Sequence, residues 1–328
     1  MTLAPLHWVV GSGGLLGSSV LRELGPDTFR FGRRFVWQDD TRVRDDLREA
    51  VAAFAARLSE QPGRRWAISW CAGAGVVATS ESALAAEVAT FSEFLQILGG
   101  ERPLAAVAGF VLLASSAGGI YAGSTVIPLT ESSEPVPTSA YGRAKLAQEK
   151  ALQAWALTRA VPVSSLAARF SNLYGPGQRL DKPQGLISHL SRSLIHGAPA
   201  HIYVSLDTIR DYLFGEDAGR RAVAALRRLI DLAPAQSTQV VKIFASEHEL
   251  SIATLIGVFR QITRRKLRVV AGLHSAAKWQ PPRLQFRSQI WLRDSERSVE
   301  IVEGVSRVYR HQLELFAAGR LPPPPPIR

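Results

Sequence analysis

The 328-residue sequence has one cysteine, Cys71. A single thiol excludes an internal disulfide framework and any cysteine-rich zinc module. The seven histidines include no His-x-x-x-His pair, so their spacing gives no support to a metal site. Long apolar runs are also missing. The longest, residues 104–117, is broken by Gly109 and ends in Ser115-Ser116, short of the ~18 residues a membrane span needs. The stretch from Met1 to Trp8 has neither the basic start nor the apolar core of a secretory signal. Positive charge is in excess, with 39 Lys+Arg against 28 Asp+Glu and a net charge of +11. It is scattered in pairs such as Arg33-Arg34, Arg64-Arg65 and Arg220-Arg221, with no run of five like charges. That distribution argues against a nucleic-acid surface. A cytoplasmic globular protein that engages neither nucleic acid nor membrane is the expectation. With 46% hydrophobic and 20% charged residues, a sizeable core is available.

What is present is an alternation of apolar strands and helical stretches. A short run, 7–10, opens onto Gly11-Ser12-Gly13-Gly14-Leu15-Leu16-Gly17, and a helical pattern through Val20, Leu21 and Leu24 follows. Strands are predicted over 28–31, 66–71, 110–114 and 163–168, and helices over 48–58, 82–98 and 141–157. This order predicts a doubly wound parallel α/β sheet, a Rossmann architecture. After Tyr174-Gly175-Pro176-Gly177 the segments shorten and periodicity weakens. The expected division is a dinucleotide-binding domain over 1–175 and a smaller, mainly substrate-binding lobe over 176–316. Parts of that lobe, around 202–214 and 240–243, are expected to return to the first sheet. The tail, 317–328, carries five consecutive prolines, Pro322–Pro326, and is expected to be extended.

The glycine turn has a chemical rationale. A dinucleotide pyrophosphate needs close access to free backbone N–H groups at a helix N-terminus. Gly11, Gly14 and Gly17 supply that access at three-residue spacing between a strand and a helix, with Leu15 and Leu16 opening the helix. The alternative is a tight turn with no ligand. Where many such folds place an acid after the second strand, this chain has Gly32-Arg33-Arg34. Arg33 and Arg34 suit a 2′-phosphate, so the expected cofactor is NAD(P), leaning towards NADP. Simple solvation of both arginines is the alternative, and Asp39 or Asp40 is a candidate for the missing acid.

Tyr141 and Lys145 are four apart, which places them on one helix face. A phenol has an ordinary pKa of about 10; a nearby ammonium stabilises its ionised form. Such a tyrosine exchanges a proton with a carbinol or carbonyl oxygen while hydride moves to or from nicotinamide. A hydroxyl at the end of a neighbouring strand, from Ser115 or Ser116, completes the constellation.

These motifs, in this order, resemble an extended short-chain dehydrogenase/reductase of the NAD(P)-dependent epimerase/dehydratase family, which acts mainly on nucleotide sugars. The resemblance rests on Gly11-x-x-Gly14-x-x-Gly17, Ser115-Ser116 before Gly119-Ile120-Tyr121, Tyr141-x-x-x-Lys145, and the stretch from Arg169 through Asn172 to Gly177. It covers roughly residues 7–316. It implies Tyr141 as acid/base, Lys145 as the residue that lowers its pKa and binds the nicotinamide ribose, and Ser116 as the hydroxyl partner, with Ser115 the fallback. It further implies Asp46-Leu47 at the adenine, Ala72-Gly73 under the cofactor, and Asn172 and Arg210 on the substrate's phosphates. The alternatives are a loop-capping amide for Asn172 and an ion pair with Asp211 or Asp217 for Arg210. The family often forms homodimers through two helices, one of them carrying the tyrosine.

Two departures narrow the reading. The dehydratases of the family carry an Asp-Glu pair where this chain has Ala117-Gly118-Gly119, so dehydration is disfavoured. The family's later Arg-x-Gly-Asp is replaced by Pro282-Arg283-Leu284-Gln285-Phe286-Arg287, where the usual ribose-binding acid is missing. A sugar epimerase working through a keto intermediate is expected, acting on a small phosphorylated sugar and most often a nucleotide sugar. An NADPH-dependent keto-sugar reductase is the close alternative. A non-catalytic dinucleotide sensor or scaffold is the alternative of another class, and it has no need of the Ser116, Tyr141 and Lys145 set.

Overall fold

Short apolar runs bounded by glycine and polar turns make strands that are buried on both faces, and the amphipathic stretches between them make the covering helices. The computed structural model describes residues 3–181, 185–232, 236–272, 280–291 and 298–324. The elements run β1 (Leu6–Val10), α1 (Leu15–Leu24), β2 (Thr28–Phe29), α2 (Asp40–Ser59), β3 (Trp66–Trp70), α3 (Glu81–Gly100), α4 (Arg102–Ala105), β4 (Gly109–Ser116), α5 (Ala117–Ile120), α6 (Ala140–Leu157) and β5 (Val163–Phe170). They continue through β6 (Asn172–Tyr174), α7 (Leu186–Ile195), β7 (Ala200–Ile202), β8 (Ile209–Phe214), α8 (Gly215–Asp231), β9 (Gln239–Phe244), β10 (Glu249–Ser251), α9 (Ile252–Thr263), β11 (Val269–Ala271) and α10 (Ile301–Ala317).

Six parallel strands form the main sheet in the order β2-β1-β3-β4-β5-β9. Alternate side chains divide between its faces. Leu6, Trp8, Val10, Trp66, Ile68, Trp70, Val111 and Leu113 pack under α2, α3 and α6. Val9, Ala67, Phe110, Leu112, Leu166 and Ala168 pack under α1 and α8. Helices therefore cover both faces, as a doubly wound sheet requires.

The stretch around 202–214 does not return to this sheet. β8 pairs parallel with β6 and antiparallel with β10, and β7 pairs with β11. The place beside β5 is filled by β9, so the 240–243 stretch does return. α2 begins at Asp40, eight residues before the expected start, because Asp39 caps it through Thr41 N and Arg42 N at 3.1 and 3.0 Å. β2 is only two residues long. Pro322–Pro324 lie outside helix and strand, and Pro325 and Pro326 lie outside the described residues. No helix among the described residues is long and apolar enough to cross a membrane.

Gly109 opens β4 directly opposite Trp66 in β3. A Cβ there would lie 2.0 Å from the Trp66 ring, and that ring is buried with its Nε1 donating to Leu104 O at 2.9 Å. Gly109→Ala is expected to cost about 2 kcal/mol or more by overpacking. Urea unfolding should detect the loss, and adding Trp66→Leu should recover most of it.

Candidate active site

The carboxyl ends of β1, β3, β4 and β5 share one edge of the sheet. The chain leaves that edge at Gly11, Cys71, Ser116 and Ser171. A cleft of about 580 Å³ opens there, lined by Gly14, Leu15, Leu16, Ala72, Gly73, Ser115, Ser116, Tyr141, Lys145, Asn172 and Arg210 among others. Its size is within the usual range for small-molecule sites.

The glycine turn joins β1 to α1. Gly11 has φ +84, and a Cβ on it would lie 2.5 Å from Ala72 N; one on Gly17 would lie 2.2 Å from Gly11 O. Gly11 and Gly17 therefore serve the packing of the turn against the chain leaving β3, and neither lines the cleft. Gly14 differs. A Cβ there would meet nothing nearer than Gly11 O at 3.5 Å, and Gly13 faces open space. Gly14 is also the N-cap of α1 and offers no side-chain cap. Helices α2, α3, α6 and α9 each have a side-chain cap. The first-turn N–H groups of α1 are thus directed at a clear space bordered by glycine, which fits a dinucleotide pyrophosphate.

The arginines after β2 sit differently from expectation. Arg33 is paired with Asp46 at 2.9 Å and with Glu49, so it is not an open cation awaiting a 2′-phosphate. Arg34 is exposed and makes no ion pair among the described residues. Asp46 also accepts from Val36 N at 3.3 Å, and Leu47 is fully buried in the core. Neither lines the cleft. The early start of α2 places both in its second turn, one tied to Arg33 and the other facing the sheet. Asp39 is occupied in capping α2.

Tyr141 lies in the first turn of α6, whose N-cap Ser139 accepts from Gly142 N at 3.1 Å. Lys145, one turn on, is buried on the same side. Ser116 ends β4, bonds the Tyr141 hydroxyl, and caps α5 by accepting from Gly119 N at 3.1 Å. Ser115 points elsewhere: its hydroxyl donates to Glu149 Oε1 at 2.5 Å. Burial pushes the Tyr141 phenol above its ordinary pKa; the Ser116 hydrogen bond opposes this, and the Glu87 carboxylate adds to it. The net direction is upward, opposite to that expected of a tyrosine near Lys145, because burial of the ring and the Glu87 carboxylate outweigh the Ser116 hydrogen bond. The ammonium of Lys145 donates to Gln148 Oε1 at 3.1 Å and Ala114 O at 3.4 Å. Its field also reaches Cys71, whose thiol burial nevertheless pushes up to about 12.

On the far side of the cleft, Asn172 donates its amide to Asp211 O at 2.9 Å, tying β6 to β8. Arg210 pairs with neither Asp211 nor Asp217. Asp211 accepts from Ser246 and Glu247, and Asp217 binds Arg220 and Val299 N. Among the described residues Arg210 donates to Ile209 O and Gln280 Oε1, and burial lowers its pKa. Arg192 of α7, unremarked in the sequence, has the same character. It is 3% exposed, lines the cleft, and bonds Leu180 O and His189 Nδ1 with no carboxylate among the described residues. A buried unpaired cation at a cleft is suited to an anionic ligand.

Sequence reasoning also missed a buried pair beneath the site. Glu149 of α6 and Arg169 of β5 are 2% and 4% exposed and joined by three hydrogen bonds of 2.6 to 3.2 Å. Arg169 further donates to the Tyr121 hydroxyl and lies 5.0 Å from that ring's centre. The signal for Glu149 was its position two turns after Tyr141 on the same helix.

Comparison with known proteins gives a consistent picture. A family model described as "NAD dependent epimerase/dehydratase family" matches residues 8–236. A dTDP-L-rhamnose 4-epimerase of Burkholderia thailandensis is 33% identical over 151 residues, covering 43% of this chain and 41% of that protein. A dTDP-4-dehydro-6-deoxyglucose reductase of Escherichia coli is 32% identical over 107 residues, 33% of each chain. The matched stretches thus span well under half the length of these curated relatives. Among solved structures, MoeE5 in complex with UDP-glucose and NAD has a similar fold, with a TM-score of 0.74 at 20% identity over 95% of this chain and 99% of that one.

Glu149→Gln would leave Arg169 as a buried charge without its counter-ion, with an expected cost of about 3–5 kcal/mol. Chemical denaturation should show it, and a further Arg169→Met should restore much of the stability. A 2′-phosphate role for Arg34 predicts that Arg34→Ala weakens NADPH binding about tenfold with little change for NADH. Titration of both dinucleotides checks this, and equal losses would refute a 2′-phosphate role.

Proposed function

The chain belongs to the NAD-dependent epimerase/dehydratase family, and on that premise we propose that it is a nucleotide-sugar epimerase working through a keto intermediate. The observation that carries this reading is the convergence of Gly14, Ser116, Tyr141 and Lys145 in one cleft that Arg210 and Arg192 also line. The substrate is a nucleotide sugar rather than a small sugar phosphate. A nucleoside diphosphate supplies two adjacent negative charges for the two buried guanidiniums, and the relatives named above act on dTDP sugars.

A nicotinamide dinucleotide held in this cleft would supply the hydride acceptor and donor for oxidising a carbinol carbon and reducing the resulting ketone from its other face. Tyr141 takes the hydroxyl proton as the carbon is oxidised and gives it back on reduction. Ser116 holds the same oxygen through its hydroxyl and orients the phenol. Lys145 places positive charge near both the phenolate and the cofactor ribose, favouring the ionised tyrosine against the effect of burial. The backbone N–H groups at the start of α1 would hold the cofactor pyrophosphate, and Ala72 and Gly73 would line the same part of the cleft. Dehydration is disfavoured because Ala117, Gly118 and Gly119 carry no carboxylate to move the second proton.

The exposed Arg34 favours one second reading, an NADPH-dependent keto-sugar reductase using the same three side chains. Denaturing the purified protein and identifying any released dinucleotide separates the two. Tightly held NAD+ is the epimerase outcome, and an empty site that takes up NADPH is the reductase outcome. For the shared chemistry, Tyr141→Phe should lower turnover by about 100-fold or more while NAD(H) binding survives. Undiminished turnover would refute Tyr141 as the acid/base.

A further inference from the structure

Glu87 has no part in the reaction above, yet it reaches into the site from the middle of α3. Its Oε1 accepts from Ala74 N at 2.7 Å and Gly75 N at 2.6 Å, two consecutive amides of the stretch that follows β3. Its Oε2 lies 3.4 Å from the point that a Cβ on Gly73 would occupy, and Lys145 Nζ lies 3.6 Å from that same point. Gly73 has φ +146, a conformation that side-chain-bearing residues rarely adopt. Gln148 joins the Lys145 ammonium to the α3 backbone at Glu87. Its Oε1 accepts from Lys145 Nζ at 3.1 Å, and its Nε2 donates to the Glu87 carbonyl at 3.3 Å. Gln148 is 2% exposed.

We propose that Glu87 is a positioning residue of the acid–base site: it clamps the 73–75 stretch beneath the cofactor and sets a negative charge against Lys145, tempering the ammonium's pull on the Tyr141 phenolate. The proposal deepens the reading of Tyr141 as acid/base and rests on it. The charged and titratable groups around Tyr141 can be followed element by element. Lys145 lies on its own helix, Ser116 comes from β4, and Glu87 from α3. Cys71, beyond the end of β3, stays a neutral thiol because burial raises its pKa. Glu149 and Arg169 neutralise one another, and Arg143 is turned outward to Glu81. The α6 N-terminus adds a partial positive charge that favours the phenolate. Glu87 is the carboxylate whose field acts in the other direction.

The test separates charge from clamp. Glu87→Gln keeps an oxygen for the Ala74 and Gly75 amides but removes the charge; Glu87→Ala removes both. A fluorinated tyrosine, whose phenol is intrinsically more acidic, placed at 141 allows its ionisation to be read by 19F NMR in NAD+-loaded protein. With Glu87→Gln the midpoint should fall by about half a pH unit or more, while the NAD+ dissociation constant stays within about twofold. With Glu87→Ala that constant should rise about tenfold, the loss expected for amide acceptors removed from the loop. A merely structural glutamate would leave the midpoint in place, so an unchanged or raised midpoint in Glu87→Gln overturns the charge role. Equal NAD+ affinity in both variants overturns the clamp. Neither readout needs a substrate, so failure here is distinct from a Tyr141→Phe variant that keeps its turnover.

Discussion

The ion pair between Glu149 and Arg169 is the contact on which the geometry of the site depends. A guanidinium and a carboxylate buried to this degree are tolerated only where almost every donor and acceptor is used. Here Arg169 spends its donors on Glu149 and Tyr121, and Glu149 accepts from Ser115 as well. The pair joins three elements. Glu149 lies on the helix that carries Tyr141, two turns further on. Arg169 sits opposite Ser115 in the β4–β5 ladder, and Ser116 is the next residue. Rotating α6 would break the pair, so the same contact that anchors the helix fixes how Tyr141 meets Ser116. With Ser115 held by Glu149, Ser116 is the hydroxyl directed to the cleft.

A second constraint acts at the other end of the cleft, and it is steric rather than electrostatic. The turn after β1 lies so close to the chain leaving β3 that a Cβ on Gly11 or Gly17 has no room. That closeness brings the start of α1 beside Ala72 and Gly73, and therefore within one cleft with Lys145. The glycine at 14 has a different cause, since space there is open. One motif thus contains two residues required by packing and one that leaves access to the helix end. A substitution series across the motif should be read with that difference in mind.

Much of the architecture was legible because strand and helix periods alternate cleanly as far as Phe170. The parallel sheet, the glycine turn and the Ser116–Tyr141–Lys145 cluster follow from local pattern and from the rule that ligands gather at the carboxyl edge of such a sheet. What could not be read were pairings between distant residues. Nothing in the run Arg33-Arg34 tells that Arg33 is taken by Asp46 and Glu49. Nothing in Asp46-Leu47 tells that α2 begins early enough to turn Leu47 into the core. The lobe after Gly175 was harder still. β6, β7, β10 and β11 are three residues each, too short for a period to register. The departure of β8 into its own sheet was therefore invisible. The segment beginning at Arg169 was one of the four motifs that carried the family resemblance, but its physical reason, a buried partner on α6, lies 20 residues away.

The excess of positive charge acquires a location from the same accounting. Many arginines are matched on the surface: Arg22 with Glu216, Arg44 with Glu93, Arg57 with Glu60, Arg307 with Glu303. Such exposed pairs contribute little to stability. Arg192 and Arg210 are the contrast, because burial strips them of water and lowers the pKa of both. A guanidinium held in that condition is destabilising to the ligand-free fold. An anion entering the cleft would offset that cost, and the low local dielectric would strengthen the attraction relative to a surface pair. The net charge of +11 therefore says little about the cleft itself, where Arg192 and Arg210 are buried without a carboxylate partner among the described residues. Both line the same cleft as Tyr141, so one site is compatible with an anionic group and a reacting carbon carried on the same ligand.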